Sequence, residues 1–308
     1  MWGRMRKRAF GATTHISPRT ASPPGGGRRT GPEWKSRRRA GPRGLWKFFV
    51  GRRMSLELES RGAMLKEDMV RQGDWLFRWR GYLPLAIVPV VLYEFRHYRF
   101  PMNSEFWAGV LEIVCLAVSL SGLAIRALTV GHAPAGTSGR ITKNQKASQL
   151  NTTGMYSLCR NPLYLGNFVM VSGLLLFLQS PLTLALLAMF FWIYYERIIL
   201  REEEFLREKF GDEYLRWTER TPVIFPRFSN WEKTSFPFSA RTVLRREYSG
   251  FFCVIAVMTL FQAIGDWTVK KEFVIDTGWA VIFSLSLIVY LTLRTLKKKT
   301  RILHAPGR

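Results

Sequence analysis

Two clusters near the middle of this sequence have residue types and spacing that suit chemistry. One is basic: Arg160-Asn161-Pro162, followed by Tyr164. The other is acidic: Glu202-Glu203-Glu204. Arg160 offers a fixed positive charge and a planar fork of donors. Asn161 followed by Pro162 reads as the N-cap and first residue of a helix. Asn accepts a bond from an orphan N–H there, and Pro loses no bond at the first position. A helix N-terminus presents free N–H groups and a partial positive charge, so this end suits an anion. Tyr164, four residues after Arg160, lies on the same side of the first turn. The acidic cluster suits an ammonium or a set of hydroxyls.

The elements between the clusters bring them together. The apolar run LYLGNFVMVSGLLLFL makes a membrane helix that starts at Pro162. Gly166 and Gly173, seven apart, lie on one face and allow close helix packing. Gln179-Ser180-Pro181 is the turn of a hairpin. The return helix has no breaker from Leu182 until Gly211, a run of 29 residues. At 1.5 Å per residue this is roughly 43 Å, more than the ~30 Å of a bilayer core, so its last turns project into water. Phe210-Gly211 then ends it, with Gly at C′. Each helix crosses once, so Arg160 and the acidic triplet return to the same membrane face. The plain alternative is a wet helix extension in which Glu203 pairs with Arg207, i to i+4. Glu204 is expected to face solvent.

The pattern resembles the isoprenylcysteine carboxyl methyltransferase and phospholipid methyltransferase families. The residues that carry the resemblance are Gly154, Tyr156, Arg160, Pro162, Tyr164, Gly166 and Gly173, then Glu202, Glu203, Leu206, Phe210, Gly211, Tyr214 and Pro226. Trp217 stands where many members have Tyr. The resemblance implies an integral membrane methyltransferase in which the two hairpin ends clasp S-adenosylmethionine and the acceptor enters from the lipid. Arg160, Asn161, Pro162, Tyr164, Gly166, Glu202, Glu203 and Tyr214 are then the expected cofactor residues. Arg160 and the helix N-terminus suit the cofactor carboxylate, and Glu202 or Glu203 its ammonium or ribose hydroxyls. Arg160 and Arg126 are the expected catalytic residues, with Arg126 or Arg140 holding an anionic acceptor. Candidate acceptors are an isoprenylcysteine-like carboxylate, a phospholipid headgroup or a lipid phosphate.

The rest of the chain fits an all-α, polytopic membrane bundle of about six helices with a cytoplasmic cofactor-binding cap. The 308 residues are 47% apolar, and the apolar ones are bunched into long runs. Residues 1–63 hold sixteen Lys and Arg against three acids and are rich in Pro and Gly. They predict a basic, disordered arm. It reads either as a binder of anionic lipid or nucleic acid or as an over-extended start, with initiation at Met54, Met64 or Met69. Residues 64–130 hold the first two spans, near 80–98 and 106–130. Pro84 and Pro89 make the first irregular. Glu112 and Arg126 interrupt the second, Glu112 as a pairing group and Arg126 as either a functional group or a snorkelling one. Residues 131–230 form the methyltransferase core: a polar loop to Gly154, the hairpin, and an interfacial cap beginning at Asp212. That loop resembles an extension in a bacterial subset of the family. Residues 231–308 complete the cap to about Tyr248 and add spans near 250–268 and 273–294.

Positive charge at Arg71–Arg80, Arg140–Arg160, Arg241–Arg246 and Lys297–Arg301 predicts that both termini are cytoplasmic, and the resemblance to a bacterial subset implies a bacterial inner membrane. Cys115, Cys159 and Cys253 have no metal spacing, and the four histidines are scattered, so no metal site is expected. No nucleic-acid partner is expected; the expected partners are a lipophilic substrate and membrane lipids. Two other readings are an NADPH-dependent reductase of the sterol-reductase kind and a non-catalytic lipid-binding scaffold. The former shares an Arg-x-Pro-x-Tyr-x-Gly turn but follows the Gly with an acid, where this chain has Asn167.

Overall fold

The computed structural model describes residues 64, 67–73, 75, 76, 78, 79, 81–134, 149–234, 236–272 and 275–305. The expected arm over 1–63 and most of the 131–154 loop, with Arg140, lie outside the described residues. Every regular element among the described residues is helical. A 3-10 stretch, Leu83–Ile87, leads into α1, Val88–Phe95. Pro84 and Pro89 each sit in the first turn of these two helices, where a missing N–H removes no helical bond. Then come α2, Glu105–His132, α3, Pro162–Leu176, and α4, Pro181–Arg220. Two C-terminal helices follow: α5, Ala240–Lys270, and α6, Thr277–Lys299.

Among the described residues, four helices are long and apolar enough to cross a bilayer: α2, α4, α5 and α6. Shorter apolar helices, Leu85–Phe95 and α3, stand where the other two of the six expected spans fall. The 15 residues of α3 rise roughly 22 Å, less than the ~30 Å of a hydrocarbon core. The 40 residues of α4 exceed that thickness, and Gly211 (φ 51°, ψ −124°) breaks the helix. The break falls at the predicted stop. The chain then resumes helical turns to Arg220 instead of leaving the helix there.

The turn between α3 and α4 falls at Gln179-Ser180-Pro181. Ser180 caps α4 by accepting from the Thr183 backbone N–H at 3.2 Å. Glu94 of α1 staples this turn, accepting from the Ser180 hydroxyl at 2.8 Å and the Thr183 hydroxyl at 2.6 Å. Beside it, Phe95, Tyr98, Phe177 and Phe261 form an aromatic cluster, with Tyr98 stacked on Phe177 at 5.1 Å. Glu112 pairs as expected, accepting from the Trp279 indole N–H at 2.7 Å and so tying α2 to α6.

One boundary differs by ten residues. The apolar run predicts a span beginning near 250, but α5 begins at Ala240, and its first turns carry Arg241, Arg245 and Arg246. Ser239 caps it through the Thr242 N–H. An apolar run marks the part of a helix suited to lipid. The helix itself continues as far as its backbone bonds and its cap allow. The interfacial cap therefore ends at Ser239, not Tyr248.

Helices α2 and α3 cross at a contact made of small residues. Cys115 and Ser119 are fully buried there. A Cβ on Gly122 would lie 2.6 Å from the Gly166 carbonyl oxygen and 2.9 Å from Met170 Cα. One on Gly173 would lie 2.8 Å from the Cys115 carbonyl oxygen. The Gly166/Gly173 spacing thus does what it predicts, with Gly122 as the partner. Gly122→Leu should force the two backbones apart and destabilise the protein by at least roughly 1–3 kcal/mol, the usual cost of overpacking. Gly109→Ala on the same helix has nothing within 4 Å of the new methyl and should be neutral or slightly stabilising. Melting and size-exclusion profiles in detergent check both; an unchanged Gly122→Leu protein would refute the crossing.

Candidate functional site

The basic cluster is held by a strap. Residues 221–232 leave the end of α4 and run back across the segment 154–161. The Arg160 N–H donates to the Pro222 carbonyl at 2.8 Å, and the Asn161 N–H to that of Val223 at 3.1 Å. Farther along, the Arg227 N–H donates to Leu158 and the Gly154 N–H to Glu232, both at 3.0 Å. Gly154 has φ 62°, a conformation that favours glycine. Ser157 accepts from the Glu232 N–H at 3.0 Å, and Glu232 pairs with Arg220 at 3.4 Å. These bonds fix the backbone on either side of Arg160 before any ligand is considered.

Asn161 occupies the N-cap position of α3, and the helix begins at Pro162 as expected. Its side chain does not make the expected cap bond. The amide instead donates to the Val223 carbonyl at 3.1 Å. The strap supplies a carbonyl within reach, and the amide nitrogen is turned to it.

The structure brings the two clusters into contact. The Arg160 guanidinium lies 3.2 Å from the Glu203 carboxylate, with side-chain exposures of 15% and 23%. Glu203 is therefore no member of a wet Glu203–Arg207 pair: its side chain turns inward while Arg207 is exposed. Tyr164 donates its hydroxyl to Glu202 at 2.8 Å. Glu204 is half-buried rather than solvated.

Tyr214 and Trp217 lie in the helical turns beyond Gly211, with rings 5.8 Å apart. Both are buried, and Tyr214 faces Arg160 and Glu203. The Tyr214 hydroxyl interacts with Arg160 and Glu203, whereas the buried Arg160 Nε and Trp217 Nε1 find no hydrogen-bond partner among the described residues. Orphan donors are costly and rare inside proteins, so two at this cluster mark a place where a polar ligand belongs.

Arg126 and Gly166 lie elsewhere. Gly166 faces α2: a Cβ there would lie 2.6 Å from Cγ of Arg126. Arg126 does not snorkel. Its Nε and Nη2 donate to the two oxygens of Glu247, each at 2.8 Å, and its Nη1 donates to the Asn167 carbonyl oxygen at 2.6 Å. Three of its donors are thus engaged by protein, and an acceptor anion would have to displace one of them. Asn167 in turn donates to the Tyr195 hydroxyl oxygen at 3.2 Å. Sequence reasoning missed Glu247 and Tyr195. Glu247 is one acid in a basic stretch, and only the docking of α5 buries it. Trp217 had a signal in its position three residues after Tyr214.

Tyr156 stays protonated well above the usual phenol range, first through loss of solvation and then through the Glu202 charge. Cys159, fully buried beside Arg160, is pushed up to about 11 by burial. It is a packed thiol, not a nucleophile. Among the described residues no three His, Cys, Asp or Glu side chains converge as metal ligands would.

The sequence profile of the phospholipid methyltransferase family matches residues 104–213, the segment from α2 through the acidic stretch of α4. The chain is 34% identical over 146 residues to the nickel-cobalt-cadmium resistance protein NccN of Alcaligenes xylosoxydans xylosoxydans, covering 42% of this chain and 67% of that protein. It is 40% identical over 85 residues to the cobalt-zinc-cadmium resistance protein CzcN of Cupriavidus metallidurans, covering 28% and 39%. It is 35% identical over 100 residues to the protein-S-isoprenylcysteine O-methyltransferase of Saccharomyces cerevisiae, covering 32% and 40%. The chain thus spans only about 40% of the length of the latter two. No solved structure matches it.

The thiol makes a direct test of the strap's closure. Relative to an ordinary value of 9.0, a pKa near 11 leaves about a hundredfold less thiolate at pH 7.5. Alkylation of Cys159 by iodoacetamide should be slower by at least that factor in folded protein, and should rise only as pH approaches 11. Peptide mass spectrometry checks this; labelling at the unfolded rate at pH 7.5 would show that the strap does not cover the site.

Proposed function

This chain belongs to the phospholipid methyltransferase family, which includes the isoprenylcysteine methyltransferases, and we propose that it uses S-adenosylmethionine to methylate a lipophilic acceptor within the membrane. The supporting observation is the Arg160–Glu203 pair beside the buried Tyr214 and Trp217, where Arg160 Nε and Trp217 Nε1 have no hydrogen-bond partner among the described residues. The residues present fit the cofactor. Arg160 and the N-terminus of α3 offer positive charge for its carboxylate. Glu202 and Glu203 offer negative charge for its ammonium or ribose hydroxyls. The Tyr214 and Trp217 rings make an aromatic wall with donors of their own.

Bound there, the cofactor would supply an activated methyl group on a sulfonium. Displacement at such a group depends on alignment more than on acid–base power. Among the protein groups, Arg160 would anchor one end of the ligand and the two glutamates the other. The strap and the packed thiol of Cys159 keep water from the backbone around Arg160. A carboxylate or phosphate acceptor is already anionic and needs no general base. An isoprenylcysteine-like carboxylate and a lipid phosphate meet this description; the amine of a phospholipid headgroup would have to lose a proton before it could accept the methyl.

Calorimetry on protein in detergent should show binding of S-adenosylhomocysteine and none of NADPH. Arg160→Ala should weaken that binding roughly ten- to a hundredfold, the worth of a charge-assisted bond. Arg160→Lys should stay impaired, because one ammonium cannot reproduce the planar fork. Glu203→Gln should also lose affinity, while exposed Arg207→Gln should not. Wild-type affinity in both Arg160→Ala and Glu203→Gln, with melting as control, would move the cofactor elsewhere; NADPH binding alone would favour a reductase.

The protein is an integral membrane protein, and we assign the site to the cytoplasmic face, with both termini there. The first turns of α5 and the last turn of α6 gather basic residues at one end of the bundle. Arg245 lies 3.4 Å from His304 in the tail, and Lys297 sits over the Tyr248 ring at 5.1 Å. Positive residues favour the cytoplasmic side. Reporter fusions at Gly131, Gln179 and the C-terminus should read in, out and in. An outside reading at Gly131 would defeat the assignment.

A further inference from the structure

The ion pair between Arg126 and Glu247 is not used by the site described above, and it joins two parts of the chain with different standing. Arg126 lies within the family-matched segment 104–213, whereas Glu247 lies on α5, outside it. Glu247 is 5% exposed. A buried charge needs a full set of partners, and Glu247 has one on each oxygen from Arg126.

The bonds beyond Arg126 run in one direction. Its Nη1 donates to Asn167, so the carboxamide oxygen must face Arg126 and the amide nitrogen must face away. That nitrogen donates to the Tyr195 hydroxyl oxygen. The Tyr195 ring packs 4.5 Å from the Tyr164 ring, and Tyr164 donates to Glu202. The bare Cα of Gly166 gives the stem of Arg126 its passage to Asn167. The contacts form a continuous chain from α5 to the carboxylate beside the Arg160–Glu203 pair.

We propose that Glu247 is a positioning residue for the cofactor site: by fixing Arg126, and through it Asn167 and Tyr195, it sets the place of Tyr164 and Glu202. The α5–α6 pair is then a working part of the site, not an accessory anchor. The inference rests on the reading that Glu202 belongs to the S-adenosylmethionine site.

The competing account is that the pair only fastens α5 to α2. The two differ in what happens when stability is restored. The full chain, purified in detergent, is titrated with S-adenosylhomocysteine by calorimetry, with melting measured in parallel. Asn167→Ala cuts the relay but leaves the ion pair intact. It should bind about three- to tenfold more weakly with little change in melting, in the range of indirect coupling between sites. Glu247→Gln leaves Arg126 buried without its counter-charge and should lose both melting temperature and affinity. Arg126→Gln combined with Glu247→Gln removes both charges; melting should recover while affinity stays low. Wild-type affinity in Asn167→Ala, or in a double variant whose melting has recovered, overturns the proposal in favour of a fastening role. If the double variant does not fold, Asn167→Ala decides alone. A wild-type protein that binds no S-adenosylhomocysteine defeats the underlying reading and this inference with it. A wild-type protein that binds, beside variants that bind equally well, defeats this inference alone.

Discussion

The close approach of α2 and α3 governs what the rest of the molecule can do. Helices in a bilayer gain little from hiding apolar surface from one another, since lipid is equally apolar. They associate through tight packing and polar contacts. Here Gly122, Gly166 and Gly173 let two backbones touch where any Cβ would collide with a carbonyl or a main-chain atom. The same bare positions let the Arg126 stem lie across α3. One geometric feature therefore both joins the helices and delivers a guanidinium to Asn167.

Polar groups in such a bundle must find partners inside it. The protein meets this at both ends in different ways. At the hairpin turn, Glu94 takes the Ser180 and Thr183 hydroxyls, and Glu112 takes the Trp279 indole, each a short staple between neighbouring elements. At the other end the groups are denser and include ion pairs, Arg126 with Glu247 and Arg160 with Glu203. In the first pair every nitrogen of Arg126 and both oxygens of Glu247 are bonded. In the second, Arg160 Nε, like the nearby Trp217 Nε1, has no hydrogen-bond partner among the described residues. That contrast separates a framework from a place that receives a ligand.

The strap of 221–232 explains how a helix N-terminus with little local support becomes a fixed site. It holds the Asn161 side chain that makes no cap bond, and it covers the segment 154–161 with backbone bonds that do not depend on side-chain identity. Val223 can stand in it because only its main chain is used. The buried Cys159 thiol lies beneath the same cover, which is why its proton is held so firmly.

The sequence by itself determined the helical class, the hairpin turn at Gln179-Ser180-Pro181, the start of α3 at Pro162 and the break at Gly211, and it singled out Arg160, Tyr164, Glu202 and Glu203 as candidates. These follow from local chemistry: a proline, a turn residue, a glycine, an apolar run and a motif all act within a few neighbours. Tertiary structure alone decided that Arg160 meets Glu203 and not solvent, that Asn161 turns to the strap, and that Arg126 closes on Glu247, 121 residues away. It also set the true start of α5, since a cap at Ser239 extends the helix past the last lipid-facing residue. A sequence shows which groups are charged. Whether a charge is buried, and which opposite charge answers it, depends on how helices distant in the chain pack, and no short-range pattern encodes that.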